Sequence, residues 1–175
     1  MDVEAVKTII RSAFMAVEYP GDWCLRGSNE GDEPYLLEQE FEGKTDWSTL
    51  APAFLDQAPD GFASALSFFS DEAFRFYLPA YLIADINGQL SSADPVFHLT
   101  HGLTDDSKAE KINPRRYGAR TWFEAASHRL SMFDTAQVAA IVAYLEFKRE
   151  VDEFERDTIN QALDNFWNCR ATGAM

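Results

Sequence analysis

Apolar residues return at steps of three and four from the start of the chain: Val3, Val6, Ile9, Ile10, Ala13, Phe14 and Val17. That spacing lays one apolar stripe along a helix of about four turns. Tyr19-Pro20-Gly21-Asp22 should end it, because proline and glycine extend a helix only at a cost. Residues 23–34 are polar and glycine-bearing and read as a loop. A short acidic helix is expected over 35–41, closed by Gly43. Asp46 then stands where an N-cap would open a helix over 47–55, and Pro59-Asp60-Gly61 reads as a turn.

The densest apolar run is LSFFSDEAFRFYLPAYL, residues 66–82. Ser70 can cap a helix that starts at Asp71, with Asp71 and Glu72 near its positive end. Phe69 before the cap and Phe74 in the fourth helical position form the pattern of a hydrophobic staple. Nearly the whole circumference of a helix over 71–86 is then apolar, apart from a stripe holding Asp71, Glu72, Arg75 and Pro79. Pro79 cannot hydrogen-bond to the carbonyl of Arg75, so this stripe is expected to face water, where solvent satisfies that carbonyl. The expectation is a central, nearly buried helix whose one wet edge carries the proline.

Asn87-Gly88 breaks the chain, and Asp94-Pro95 starts a short helix with proline at its favoured first position. Residues 104–120 read as a charged loop, and 121–130 as helix. Leu130-Ser131-Met132-Phe133-Asp134 parallels Leu66-Ser67-Phe68-Phe69-Ser70, with Val138 placed as Phe74 is, so a second capped helix begins there. Ala136, Ala139, Ala140 and Ala143 suit close packing on that helix, and Ile159, Leu163, Phe166 and Trp167 form the apolar face of the last one. The pattern leaves open whether 135–168 is one helix or two. No run alternates as a strand does. The fold class is all-α: one compact domain over 1–175 with about six to eight helices.

Composition agrees, since 46% of residues are hydrophobic and 14% aromatic, enough for a packed interior. Formal charge is −14, from 29 acidic against 15 basic residues. That balance disfavours direct contact with nucleic acid or an anionic membrane, both of which need clustered cations. Cys24 and Cys169 match no zinc or redox spacing and read as free thiols in a reducing cytosol. Met1-Asp2-Val3-Glu4 lacks the basic start of a signal peptide, and the apolar runs are too short to span a bilayer. A cytoplasmic location is the expectation.

Catalytic signatures are missing. Gly43-Lys44-Thr45 resembles the tail of a phosphate-binding loop, but Glu38 stands where that loop needs glycine. Asp85-Ile86-Asn87-Gly88 has its glycine two places too early for a calcium loop and lacks the closing acid. No nucleophile elbow occurs, and neither cysteine has a histidine nearby in sequence. His98 and His101, at i and i+3, could reach one metal with Asp94, Asp105 or Asp106 as a carboxylate ligand, His128 being the remaining histidine. Two helical histidines without a metal is the reading set against that one, and no cofactor is expected. Phe74, Tyr77 and Tyr81 could line a pocket for an aromatic or lipid-like ligand, although stripes of this spacing usually build core.

Charge clustering is more informative. Glu30, Asp32, Glu33, Glu38, Glu40 and Glu42 form one acidic segment; Glu146, Glu150, Asp152, Glu153, Glu155 and Asp157 form another. Lys108, Lys111, Arg115, Arg116 and Arg120 gather basic charge between them. Such runs are either solvated faces or surfaces that steer a partner of opposite charge.

Tyr19-Pro20-Gly21-Asp22, Gly43-Lys44-Thr45-Asp46-Trp47 and residues 68–82, in that order and spacing, resemble a bacterial family of small cytosolic proteins classed as a domain of unknown function. The resemblance implies bacterial origin and a helical fold, and it carries over no functional residue. Asp22, Lys44, Asp46 and Trp47 become loop candidates for binding, against turn formation and capping. The functional expectation is a non-catalytic protein-binding module, of immunity, antitoxin or regulatory-adaptor type. Its acidic helical face, with Glu38, Glu40, Glu150 and Glu153, would meet a partner's basic face. The alternative is a small metal-dependent enzyme built around His98 and His101.

Overall fold

Helices in the chain are α1 (Val3–Phe14), α2 (Glu33–Phe41), α3 (Pro52–Leu55), α4 (Asp71–Ile86), α5 (Pro95–Thr100), α6 (Pro114–Tyr117), α7 (Trp122–Leu130), α8 (Thr135–Val151) and α9 (Arg156–Ala162). The last runs on through a π turn, Leu163–Trp167, into α10 (Asn168–Thr172). This computed structural model describes residues 2–57 and 64–173, so the turn expected at Pro59-Asp60-Gly61 lies outside the described residues. Among those residues extended pairing is limited to two isolated bridges, Arg26 with Phe69 and Lys111 with Thr121. The fold is all-α. No described helix is long and apolar enough to cross a membrane. Contacts gather into two units, Ile10–Pro95 on the one hand and Met1–Ile9 with Val96–Met175 on the other.

In the unit Ile10–Pro95, α4 is the core helix. The Ser70 hydroxyl accepts the Ala73 N–H at 3.0 Å, as its place before Asp71 predicts. Ten of the helix's 16 residues are buried. Phe41, Phe69 and Tyr77 meet around it, Phe69 stacked on Tyr77 at 5.0 Å and Phe41 edge-on to both at 4.8 and 4.9 Å. Such pairs add about 0.5–1.5 kcal/mol each to the burial of their surface.

Pro79 corrects the expectation of a wet edge. Asp71 and Glu72 are exposed and Arg75 half-buried, but Pro79, one turn on, is buried. The polar stripe lasts only for the first turn, because the body of α4 is covered by α3 and by the 3-10 turn Trp47–Thr49. The helix runs unbroken through the proline, whose ring serves as packing surface.

Asp46 caps a shorter element than its position predicts. Its Oδ1 accepts the Ser48 N–H at 2.9 Å, and the turn ends at Thr49. Pro52 then holds Ala51 extended (φ −70°, ψ 140°) and restarts the chain as α3. Asp56, at the end of α3, reaches 35 residues along the sequence. Its carboxylate accepts the N–H groups of Ser91, Ser92 and Ala93 at 2.7–2.9 Å and the Ser91 hydroxyl at 2.9 Å. These bonds hold the segment leading into α5.

The other unit is built on α8, which packs against α9 and α10. Capping boxes open α7 (Thr121 with Glu124) and α8 (Asp134 with Gln137). Ala140 and Ala143 are buried as expected, whereas Ala136 and Ala139 are exposed. Residues 135–168 form two helices, not one. Asp152 leaves α8 in an extended conformation (φ −112°, ψ 107°), and its Oδ1 accepts the N–H groups of Phe154 at 3.0 Å and Glu155 at 3.2 Å. Ile159, Leu163, Phe166 and Trp167 are all buried, and the Trp167 indole donates to the Leu99 carbonyl at 2.8 Å.

Candidate functional site

Two of the loop candidates, Asp22 and Lys44, join one network within Ile10–Pro95. Asp22 opens the 3-10 turn Asp22–Cys24, and its Oδ1 accepts both the Tyr19 hydroxyl (2.5 Å) and the Gly43 N–H (2.8 Å). Gly43 follows α2 with φ +71°, a backbone setting that favours glycine. Tyr77 on α4 donates to the Lys44 carbonyl at 2.8 Å. Burial, with the Asp22 carboxylate beside it, pushes the Tyr19 phenol up to about 12. The bonds from Tyr19 and Gly43 hold the Asp22 carboxyl below its ordinary value.

All three segments that carried the resemblance therefore meet. The polar groups of Asp22 and Asp46 hold loops in place, Trp47 is buried, and the Lys44 ammonium lies 5.4 Å over the Phe54 ring. Phe74, Tyr77 and Tyr81 are fully buried, so that aromatic stripe is core.

The acidic candidates separate. Glu38 is ion-paired with Arg26, whose guanidinium also sits 4.4 Å from the Tyr35 ring centroid. Glu40 is exposed on α2. Glu150 and Glu153 are exposed at the corner between α8 and α9, and Asp157 beside them is exposed too. At that corner stands a residue the charge pattern did not single out: Phe154, 96% exposed, with Val151 at 60%. A signal was present, since a phenylalanine inside EVDEFERD belongs to no apolar stripe. The Asp152 bonds to the N–H groups of Phe154 and Glu155 fix the backbone there, so the ring is displayed on an ordered turn.

His98 and His101 do share a site, a pocket of about 170 Å³ walled by α5 and α7. Phe97, Trp122, Ala125, Ala126, Arg129 and Leu130 complete its lining. His98 is half-buried, and His101 is exposed in the turn after α5, its ring stacked on Phe97 at 4.7 Å and edge-on to Trp122 at 5.1 Å. Neither Asp94 nor Asp106 lines the pocket, and Asp105 binds Lys108 (2.8 Å) and Asn165 (3.1 Å). His128 is exposed on α7 outside it. Among the described residues no group of three or more His, Cys, Asp or Glu side chains is placed to hold a metal ion.

Burial, followed by the charges of Arg129 and His101, pushes the His98 imidazole down to about 4 from an ordinary 6.5. The unfolded chain thus takes up this proton at a higher pH than the folded one. Between those two values stability falls as pH falls. Thermal melts across that range should show a shallower acid loss in His98→Gln than in the wild type; parallel curves would remove His98 as the cause.

Comparison with known proteins adds family and little more. A family model described as a family of unknown function (DUF6714) matches residues 2–171. A CLIP-associated protein of Arabidopsis thaliana is 28% identical over 113 residues, covering 58% of this chain and 8% of that protein. The chain thus spans under a tenth of that relative's length. No solved structure matches.

Proposed function

The chain belongs to a family of unknown function, DUF6714, and we propose that it is a non-catalytic protein-binding module whose contact surface is the acidic corner between α8 and α9. Phe154 carries this reading. A phenylalanine left 96% in water offers no stability to the monomer, yet here it is held on a turn pinned by Asp152. An ordered aromatic anchor ringed by charge is what a protein interface uses at its centre, because little entropy is lost when it docks. Glu153 and Asp157 are exposed within three residues of it, with Arg156 the exposed basic residue there, so the fitting partner has an apolar pocket with a mainly basic rim. Glu38 is less suited to such a contact, its charge being matched by Arg26.

The relative from Arabidopsis thaliana is, by its name, a protein that associates with another, which agrees with this class of function and specifies no partner here. The module is of immunity, antitoxin or adaptor type, acting in a reducing cytosol where Cys24 and Cys169 remain free.

The test uses the intact chain as bait in a lysate of its source, alongside Phe154→Ala and Glu153→Lys. Both substituted positions are exposed, so melting temperatures should match the wild type. A specific partner should be captured by the wild type, retained about tenfold less by Phe154→Ala, and released as salt rises. Equal capture by all three proteins would end this reading.

A further inference from the structure

The pocket between α5 and α7 has an aromatic and cationic lining. Acidic residues outnumber basic ones by 29 to 15 in the chain, yet no carboxylate lines this pocket, and its polar side chains are Arg129, His98 and His101. The other walls are the rings of Phe97 and Trp122 and the small side chains of Ala125 and Ala126.

The backbone builds this space. Gly102, just beyond α5, has φ +82°, and a Cβ there would lie 2.9 Å from the Ala126 Cβ and 3.0 Å from the Trp122 carbonyl. Only glycine lets the end of α5 approach α7 so closely. Where the two helices then face each other, alanines on α7 leave room between the aromatic walls. Phe97 stays 48% exposed at the mouth, stacked on His101, instead of folding inward to fill the gap.

We propose that this pocket binds a small planar aromatic carboxylate, with its ring against the aromatic wall that Phe97, His101 and Trp122 form together and its carboxylate toward Arg129. The size fits. A cavity of about 150 Å³ accepts one benzene ring, so about 170 Å³ takes a single ring with a small substituent. Phe97 stacked on His101, and Trp122 edge-on to it, give a continuous aromatic surface for a ring to lie against. Arg129 lines the pocket and places a positive charge at it. The lowered proton affinity of His98 comes first from burial and then from the charge of Arg129, which reaches it within the same pocket. None of this depends on the acidic corner.

Calorimetric titration of the full chain with sodium benzoate and, separately, with benzyl alcohol tests the proposal. Benzoate should bind saturably at one site, about tenfold tighter than the uncharged alcohol. Arg129→Gln should abolish that preference. Ala125→Leu, which narrows the pocket without touching its charge, should remove binding of both, and thermal melts of each variant confirm that it is folded. Absence of saturable heat with benzoate overturns the proposal. So does equal affinity for the two compounds, or benzoate binding that survives Ala125→Leu in a folded protein.

Discussion

Trp167→Ala should unfold the unit that α8 organises at temperatures the wild type tolerates. Trp167 lies in the π turn between α9 and α10, has no exposed surface, and packs edge-on to Phe166 at 5.0 Å and against Phe133 at 6.1 Å. Its indole N–H satisfies the carbonyl of Leu99, 68 residues earlier in the chain. Truncation removes the largest side chain of that core, leaves a cavity, and strips a buried carbonyl of its donor. The expected loss is about 3–5 kcal/mol, a large part of the stability of a chain this size. In a thermal melt that corresponds to a fall of roughly 10 °C. Trp167→Phe keeps a ring and loses the hydrogen bond, so its smaller loss separates the two contributions. A melting temperature for Trp167→Ala within about 2 °C of the wild type would contradict the packing described here.

Asp56→Asn should destabilise the chain by about 2 kcal/mol at neutral pH, and the deficit should shrink in acid. The carboxylate gathers three successive backbone N–H groups and a hydroxyl, which its two acceptor-only oxygens satisfy together. An asparagine in its place turns one acceptor oxygen into a donor facing donors. Partial burial of Asp56 on its own would raise its pKa, but the N–H groups of Ala93, Ser92 and Ser91 outweigh that and hold it below the ordinary 3.8. The sign follows. The unfolded carboxyl takes its proton first as pH falls, so the folded-state advantage is complete above 3.8 and is lost as pH drops through the lower, folded value. Denaturant melts of both proteins at pH 7 and pH 3 read this directly. A gap that is unchanged between the two would mean that the charge of Asp56 does not hold the 91–93 segment.

Much of the helical plan was legible because its causes are local. Ser70, Thr121 and Asp134 each accept a hydrogen bond from an N–H three residues on, so the chain itself announces where α4, α7 and α8 begin. The π turn near the C-terminus gave no such sign, since it arises where Leu163, Phe166 and Trp167 are buried together. Pro79 shows the limit from the other side. Its position on a charged stripe implied solvent, but burial depends on what covers the helix, and α3 and the Trp47 turn come from elsewhere in the chain.

Candidate sites divide in the same way. Charge runs can be read from composition, yet only the fold distinguishes Glu38, matched by Arg26 from 12 residues away, from Glu153 on an open corner. His98 and His101 were visible as a pair; that Arg129, Trp122 and two alanines share their pocket was not, because α7 lies more than 20 residues further on. The sequence by itself determined the all-α class, the starts of α4, α7 and α8 and the net negative charge, all of which follow from neighbours a few residues apart or from composition. Tertiary structure alone decided that Asp56 clasps residues 91–93 and that Trp122 and Arg129 share a pocket with His98 and His101. Each of these rests on contacts or exposure set by chain segments far apart in sequence, where local periodicity carries no information.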